Sequence, residues 1–291
     1  MYAKILVAVD PSGGAARLAA AVAALADGPQ TAVRVVGVIA GGPPTAAVAG
    51  GTERLNEVAS ALGVGGIRAE VRLRHLAAGR SVAAEIVAET SEWSPDLVVM
   101  GSRGRSELAA LLVGSVSRDV VAALHIPVLL LPAGGRSHIE GVRARRILVP
   151  VDRSQHSAEA LLAAVDLAQS LGARLLLLHV RQMVAWGEVS DIESEEEASQ
   201  LLAAARPKVP AGLAIETRIG NPDLSPAGAI VRAADEWGAD LIVLGSHRPG
   251  AWGGLLLGSV AHGVVRRAQV PVLIAGTGDQ TAPGENAPAA V

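Results

Sequence analysis

The chain has 291 residues, half of them hydrophobic and 18% charged, and it contains no cysteine. That composition excludes a largely disordered chain, and it removes disulfides, thiolate metal centres and a cysteine nucleophile together, in agreement with a reducing compartment. A formal charge of −3 speaks against a nucleic-acid partner, and no apolar run approaches the ~18 residues of a membrane span.

The first residues are already strand-like, at 4–9, with no basic leader or cleavage site, so a cytoplasmic protein is expected. Further apolar runs at 33–39, 67–74, 96–100 and 128–131 complete a first set of strands. A second set follows at 146–151, 174–180, 213–219, 240–244 and 270–274. With 2% aromatics and no Phe, the core must be aliphatic. Most runs are unbroken Val, Leu and Ile, as in parallel strands buried on both faces, whereas 67–74 alternates strictly and predicts a half-covered strand near an edge. Helical spacing fills the intervals. Leu161, Leu162, Val165, Ala168 and Leu171 form one such stripe, with Ser157 available as an N-cap. Strand–helix alternation with crossovers of this length predicts a doubly wound parallel α/β sheet.

The second set repeats the first. Lys4-Ile5-Leu6-Val7-Ala8-Val9-Asp10 returns as Arg146-Ile147-Leu148-Val149-Pro150-Val151-Asp152, at an offset of 142. Asp96-Leu97-Val98-Val99-Met100-Gly101-Ser102 returns as Asp240-Leu241-Ile242-Val243-Leu244-Gly245-Ser246 at 144, which places a net insertion around Asn221-Pro222-Asp223. Residues 101–132 laid on 245–276 give 12 identities in 32, and Trp93 falls on Trp237. Polar and glycine positions stay in register, so the chain reads as a duplication with two cores. The expected division is a domain at 1–132, a linker at 133–145, a second domain at 146–276 and a disordered tail at 277–291.

After the fourth strand of the first copy comes Gly101-x2-Gly104-x9-Gly114-Ser115, leading into a helix. Glycines at a strand end let backbone amides approach an anion, and a Gly-Ser helix start adds free N–H groups, a dipole and a hydroxyl. The same residues would also serve as turn glycines and a helix cap, but the full spacing and its echo in the second copy favour a phosphate site. It is neither a Walker A loop nor the dinucleotide fingerprint.

This constellation, with an Asp closing the first strand and a small-residue loop after it, resembles the universal stress proteins of the ATP-binding class, over nearly the whole chain and twice. The resemblance implies five-stranded sheets of order 3-2-1-4-5 and a nucleotide site where the ends of strands 1 and 4 flank a crevice. It places Ala8 and Asp10 in that site, Val38 at the adenine edge, and Gly101, Gly104, Gly114, Ser115 and Ser117 around ribose and phosphates, with ATP and Mg²⁺ as the expected ligands. Asp10 could equally cap the next helix. In the second copy Pro150, Asp152, Ser154, Val180, Gly245, Gly258 and Ser259 match, but Arg248 stands at the second glycine position, where it could block the phosphate path or donate to it.

Other candidates carry less. Seven scattered His show no metal-ligand spacing, so His179 and His262 are expected to be structural or solvated. Glu193, Glu195, Glu196 and Glu197 read as an exposed helix start, and Arg143, Arg145 and Arg146 as solvated linker. No Lys or base accompanies the glycines, so at most weak ATP hydrolysis is expected beside a regulatory role in a stress or dormancy response. A slow ATPase or nucleotidyl transferase and a nucleotide-free scaffold are the alternatives. The apolar last strands, 128–131 and 272–274, are expected to pair with each other as an internal pseudo-dimer, leaving room for a homodimer.

Overall fold

The computed structural model describes residues 1–10, 14–40, 46–102, 114–132, 144–181, 183–186, 189–220, 225–245 and 257–276. The expected tail and the linker up to residue 143 lie outside the described residues, as do Gly104, Arg143, Ser246, Arg248 and the Asn221-Pro222-Asp223 segment. The first half runs β1 (Lys4–Ala8), α1 (Ala15–Leu25), β2 (Ala32–Ala40), α2 (Ala46–Val64), β3 (Ala69–Leu76), α3 (Val82–Trp93), β4 (Leu97–Gly101), α4 (Ser115–Ala123) and β5 (Val128–Leu131). The second runs β6 (Arg146–Pro150), α5 (Gln155–Leu171), β7 (Arg174–Val180), a hairpin β8 (Met183–Trp186) and β9 (Val189–Ile192), α6 (Glu195–Ala205), β10 (Ile215–Gly220), α7 (Pro226–Trp237), β11 (Leu241–Gly245), α8 (Ser259–Arg267) and β12 (Val272–Ala275).

Each half is a parallel sheet of order 3-2-1-4-5. The two join through antiparallel pairing of β5 with β12, Leu129 opposite Leu273, in one ten-stranded sheet of order β10-β7-β6-β11-β12-β5-β4-β1-β2-β3. The two apolar edges thus cover each other, as their composition requires. β3 ends the sheet on one side and shows the alternating burial its sequence predicts. The central strands are covered on both faces. Ile5, Val7, Val35 and Val99 pack with Leu18 and Val22 of α1 and Leu55 and Val58 of α2. Leu6, Val36, Val98 and Met100 pack with Ile86 of α3 and Val120 of α4 on the opposite face.

Two local contacts position the strand ends. Asp96 accepts from the backbone N–H of Lys4 at 2.9 Å, and Asp240 does the same for Arg146 at 2.9 Å, so each fourth strand is pinned to the first beside it. Trp93 lies under Lys4 and Arg34, at 4.8 and 4.7 Å, and Trp237 lies under Arg146 at 5.9 Å. Arg146 is therefore the stacked first residue of β6, not solvated linker.

The strand registers also relocate the insertion. Val33 pairs with Ala69 while Leu175 pairs with Ile215, so the third strands correspond at an offset of 146, between 142 at the second strands and 144 at the fourth. Extra residues thus enter before β10, where the β8–β9 hairpin stands, and two are lost after it. The hairpin was not legible in the sequence because its two strands have only four residues each, too few to establish a period.

Candidate functional site

The chain turns to opposite sides of β1 for β2 and β4, so the carboxyl ends of β1 and β4 border a crevice where neither crossover covers the sheet. In the first copy the crevice encloses about 260 Å³ and is lined by Ala8, Asp10, Val38, Gly101, Gly114, Ser115 and Ser117. Apolar walls of Val36, Val82, Ile86 and Met100 complete it. The second copy has a crevice of about 270 Å³, lined by Pro150, Asp152, Val180, Gly245, Gly258 and Ser259, with Leu178, Pro226, Ile230 and Leu244 as walls. All the expected site residues among the described ones therefore converge on one crevice or the other. The sequence reading missed the apolar walls. Val82 and Pro226 each follow a serine that starts a helix, and that pairing was the available signal.

The helix starts differ in how their first-turn amides are met. Ser81, Ser154, Ser194 and Ser225 cap α3, α5, α6 and α7, each accepting from a backbone N–H of the first turn. By contrast, α4 and α8 begin behind Gly114 and Gly258, which have no side chain to answer those amides, and neither helix has an acid in its first turn. Uncapped first-turn N–H groups and the helix dipole make an anion-binding end. Both of these ends open on the crevices, whereas α1, likewise uncapped behind Gly14, starts outside the residues that line them.

Left-handed backbone is not what selects these glycines, since none of Gly101, Gly114, Gly245 and Gly258 has a positive φ. At Gly245 the close neighbour is the protein itself: a Cβ would collide with the carbonyl of His156 and lie 2.8 Å from its Cβ, so the glycine lets β11 meet the first turn of α5. Ser117 has one proton, shared between the carbonyls of Gly114 at 3.0 Å and Ser102 at 3.2 Å. Together with the Gly114 N–H on Ser102 O at 2.9 Å, it fastens α4 to the end of β4 rather than offering a donor to the crevice. Ala261 lines the second crevice at the equivalent position.

Asp152 combines two roles. It lines its crevice while Oδ1 accepts from the backbone N–H of Ser154 at 2.8 Å, and Ser154 in turn caps α5. Ser154, not Ser157, is therefore the N-cap, because α5 starts at Gln155. Ser157 turns back, and its hydroxyl accepts from the Asp152 N–H at 2.9 Å. Among the acidic residues, Glu197 forms a capping box with Ser194, and the Ser194 N–H and hydroxyl hold its carboxyl below the usual range. Glu193 departs from the expected exposed helix start. It is buried and bonded to the equally buried His179.

Beneath the first crevice lies an ion network that the sequence reading did not find. Glu89, fully buried, bridges Arg34 at 2.8 Å and Arg74 at 2.6 Å, and Arg74 also reaches Glu85 at 3.2 Å and Glu92 at 2.9 Å. Hydrogen bonds donated to Glu92 and then Glu89 raise the Arg74 guanidinium well above its ordinary value, and Arg74 holds Glu92 low in turn. Arg74 pairs across the sheet with Val38, so the network fixes β3 and α3 beside the crevice wall. The second copy has Leu176, Ala229 and Ala233 where the first has Arg34, Glu85 and Glu89. That internal contrast was the available signal.

The sequence profile described as the universal stress protein family matches residues 1–132 and again 143–276. The chain belongs to the universal stress protein family. Over 93% of its length this universal stress protein is 30% identical to one from Mycolicibacterium smegmatis, covering 96% of that relative. It is 32% identical to a universal stress protein of Mycobacterium tuberculosis over 62% of the chain, a match spanning 61% of that relative's length. The crystal structure of a universal stress protein from Archaeoglobus fulgidus shares the fold, with a TM-score of 0.66 over 95% of this chain and 97% of that one, at 23% identity. Among the described residues, no helix is long and apolar enough to cross a membrane, and no group of three His, Asp or Glu is placed to hold a metal ion.

Proposed function

We propose that this universal stress protein binds ATP in the first crevice and that nucleotide occupancy regulates a stress or dormancy response. The observation that carries this reading is the uncapped Gly114-Ser115 helix start opening on a crevice with apolar walls of Val36, Val82, Ile86 and Met100. The apolar walls suit a purine, the Ala8 and Asp10 end suits a ribose, and the first-turn amides suit phosphates. Mg²⁺ would arrive on the phosphates, with Asp10 the acidic side chain beside it, because Mg²⁺ is held by one or two carboxylates plus substrate oxygens rather than a protein cage. The second crevice is proposed as a further adenine-nucleotide site that Arg248 weakens. The chain is proposed to divide at 1–132 and 146–276 and to act in the cytoplasm.

Nucleotide analysis of the protein purified without added ligand, followed by calorimetric titration with ATP and Mg²⁺, tests the proposal. Gly114→Glu should abolish binding at the first crevice, because its carboxylate would enter the anion site. Unchanged affinity in a folded variant would refute the phosphate assignment. Phosphate release at the ~1–1000 s⁻¹ of ordinary enzymes would instead make the protein an ATPase.

A further inference from the structure

The second copy holds a buried imidazole–carboxylate pair that the first copy lacks. His179, at the end of β7, places Nδ1 2.7 Å from the carbonyl oxygen of Val151 and Nε2 2.7 Å from Oε2 of Glu193. Both side chains are 2% exposed. In the first copy the position of His179 is Gly37, where an added Cβ would stand 3.0 Å from the side chain of Leu55. Val151 and His179 sit among the lining of the second crevice, next to Asp152 and Val180, and Glu193 links the β8–β9 hairpin to α6.

The protons can be counted without knowing where each resides. A carbonyl oxygen only accepts, so Nδ1 carries one proton. Nε2 and Oε2 at 2.7 Å need a second between them, whether it is written on the ring or on the carboxyl. A neutral imidazole facing a carboxylate has only one, and two lone pairs would then oppose each other at hydrogen-bond distance. Loss of the second proton must open one of the two contacts.

The surrounding charges cannot replace that proton. On the β6–α5 turn, Arg153 reaches the other oxygen, Oε1, at 3.0 Å, and Asp152 is engaged by Ser154. His156 of α5 lies 3.5 Å from Glu159. Arg181 donates to the backbone carbonyl of Glu193 and stands 3.7 Å from Glu195, and Glu197 is engaged by Ser194. We propose that His179 and Glu193 form a proton-operated latch, positioning residues that clamp the hairpin and the start of α6 against the wall of the second crevice while they share two protons and release them when one is lost.

The test is hydrogen exchange of the segment 189–198 in the full chain across a pH series, corrected for the intrinsic rise of exchange with hydroxide. Protection should fall with rising pH, by about tenfold or more, the effect of one charge-assisted hydrogen bond. Glu193→Gln should hold the latch closed throughout, because its amide nitrogen donates to Nε2 and its carbonyl accepts from Arg153, with no proton that dissociates. Flat protection in the parent, or a Glu193→Gln variant that follows the parent's pH profile, would overturn the proposal. The readout needs no nucleotide, so it stands or falls separately from the ATP reading.

Discussion

Replacing Glu89 of the buried network by Ala should unfold the first copy far more readily than its size suggests. Glu89 has no exposed surface and bridges Arg34 and Arg74, whose side chains are 18% and 15% exposed. Glu89→Ala leaves both guanidinium groups short of a partner in a poorly solvated place, and breaking a buried ion pair on one side costs about 3–5 kcal/mol. Because Arg34 retains Glu70 at 2.7 Å and Arg74 retains Glu92 at 2.9 Å, the lower end, about 3 kcal/mol, is expected. The second copy supplies the compensating design. Arg34→Leu, Arg74→Leu and Glu89→Ala together remove the charges that the single change strands, with Leu and Ala installed as at Leu176 and Ala233 of the second copy, while Glu85 retains Arg80 at 3.2 Å. The triple variant should lie within about 1 kcal/mol of the parent, since well-packed apolar residues often replace buried ion pairs at little cost. Native-state hydrogen exchange of the α3 and β3 amides reads the first copy alone. A triple variant no more stable than Glu89→Ala would refute the argument, because it would show that the network is worth more than the desolvation it offsets.

Gly245→Ala should destabilise the second copy by about 1–3 kcal/mol through collision with the His156 backbone, whereas Gly63→Ala, in α2 with nothing within 4 Å, should stabilise by about 0.5–1 kcal/mol; urea denaturation compares the two. Glu92 has its carboxyl lowered by Arg74, so its contribution is present at neutral pH and is lost as pH falls through the carboxylate range. Glu92→Gln should accordingly flatten the acid dependence of α3 exchange, and an unaltered acid limb would contradict that. In a chain silenced at the first crevice by Gly114→Glu, Arg248→Gly should tighten ATP binding at the second; weakening by about tenfold in titration would show that Arg248 donates to a phosphate.

The strand order and the remaining crevice residues were implied by the family resemblance; the sequence by itself determined the duplication, the doubly covered strands and the glycines after the fourth strand. Each rests on local signals: unbroken aliphatic runs for doubly covered strands, glycine spacing after the fourth strand, and a repeat that keeps polar positions in register. Even the pairing of β5 with β12 was legible, because two apolar edges in one chain leave little else to cover them. Tertiary structure alone decided what separated residues do to one another. Gly245 reads as a phosphate glycine until the first turn of α5 stands against it. Glu193 reads as one acid in a solvated run until the hairpin carries it to His179, fourteen residues back in sequence. Glu85 and Glu89 acquire their role only when Arg34 and Arg74 arrive from two strands. A charged side chain announces its cost of burial in the sequence, but the partner that offsets that cost is chosen by the packing of the sheet.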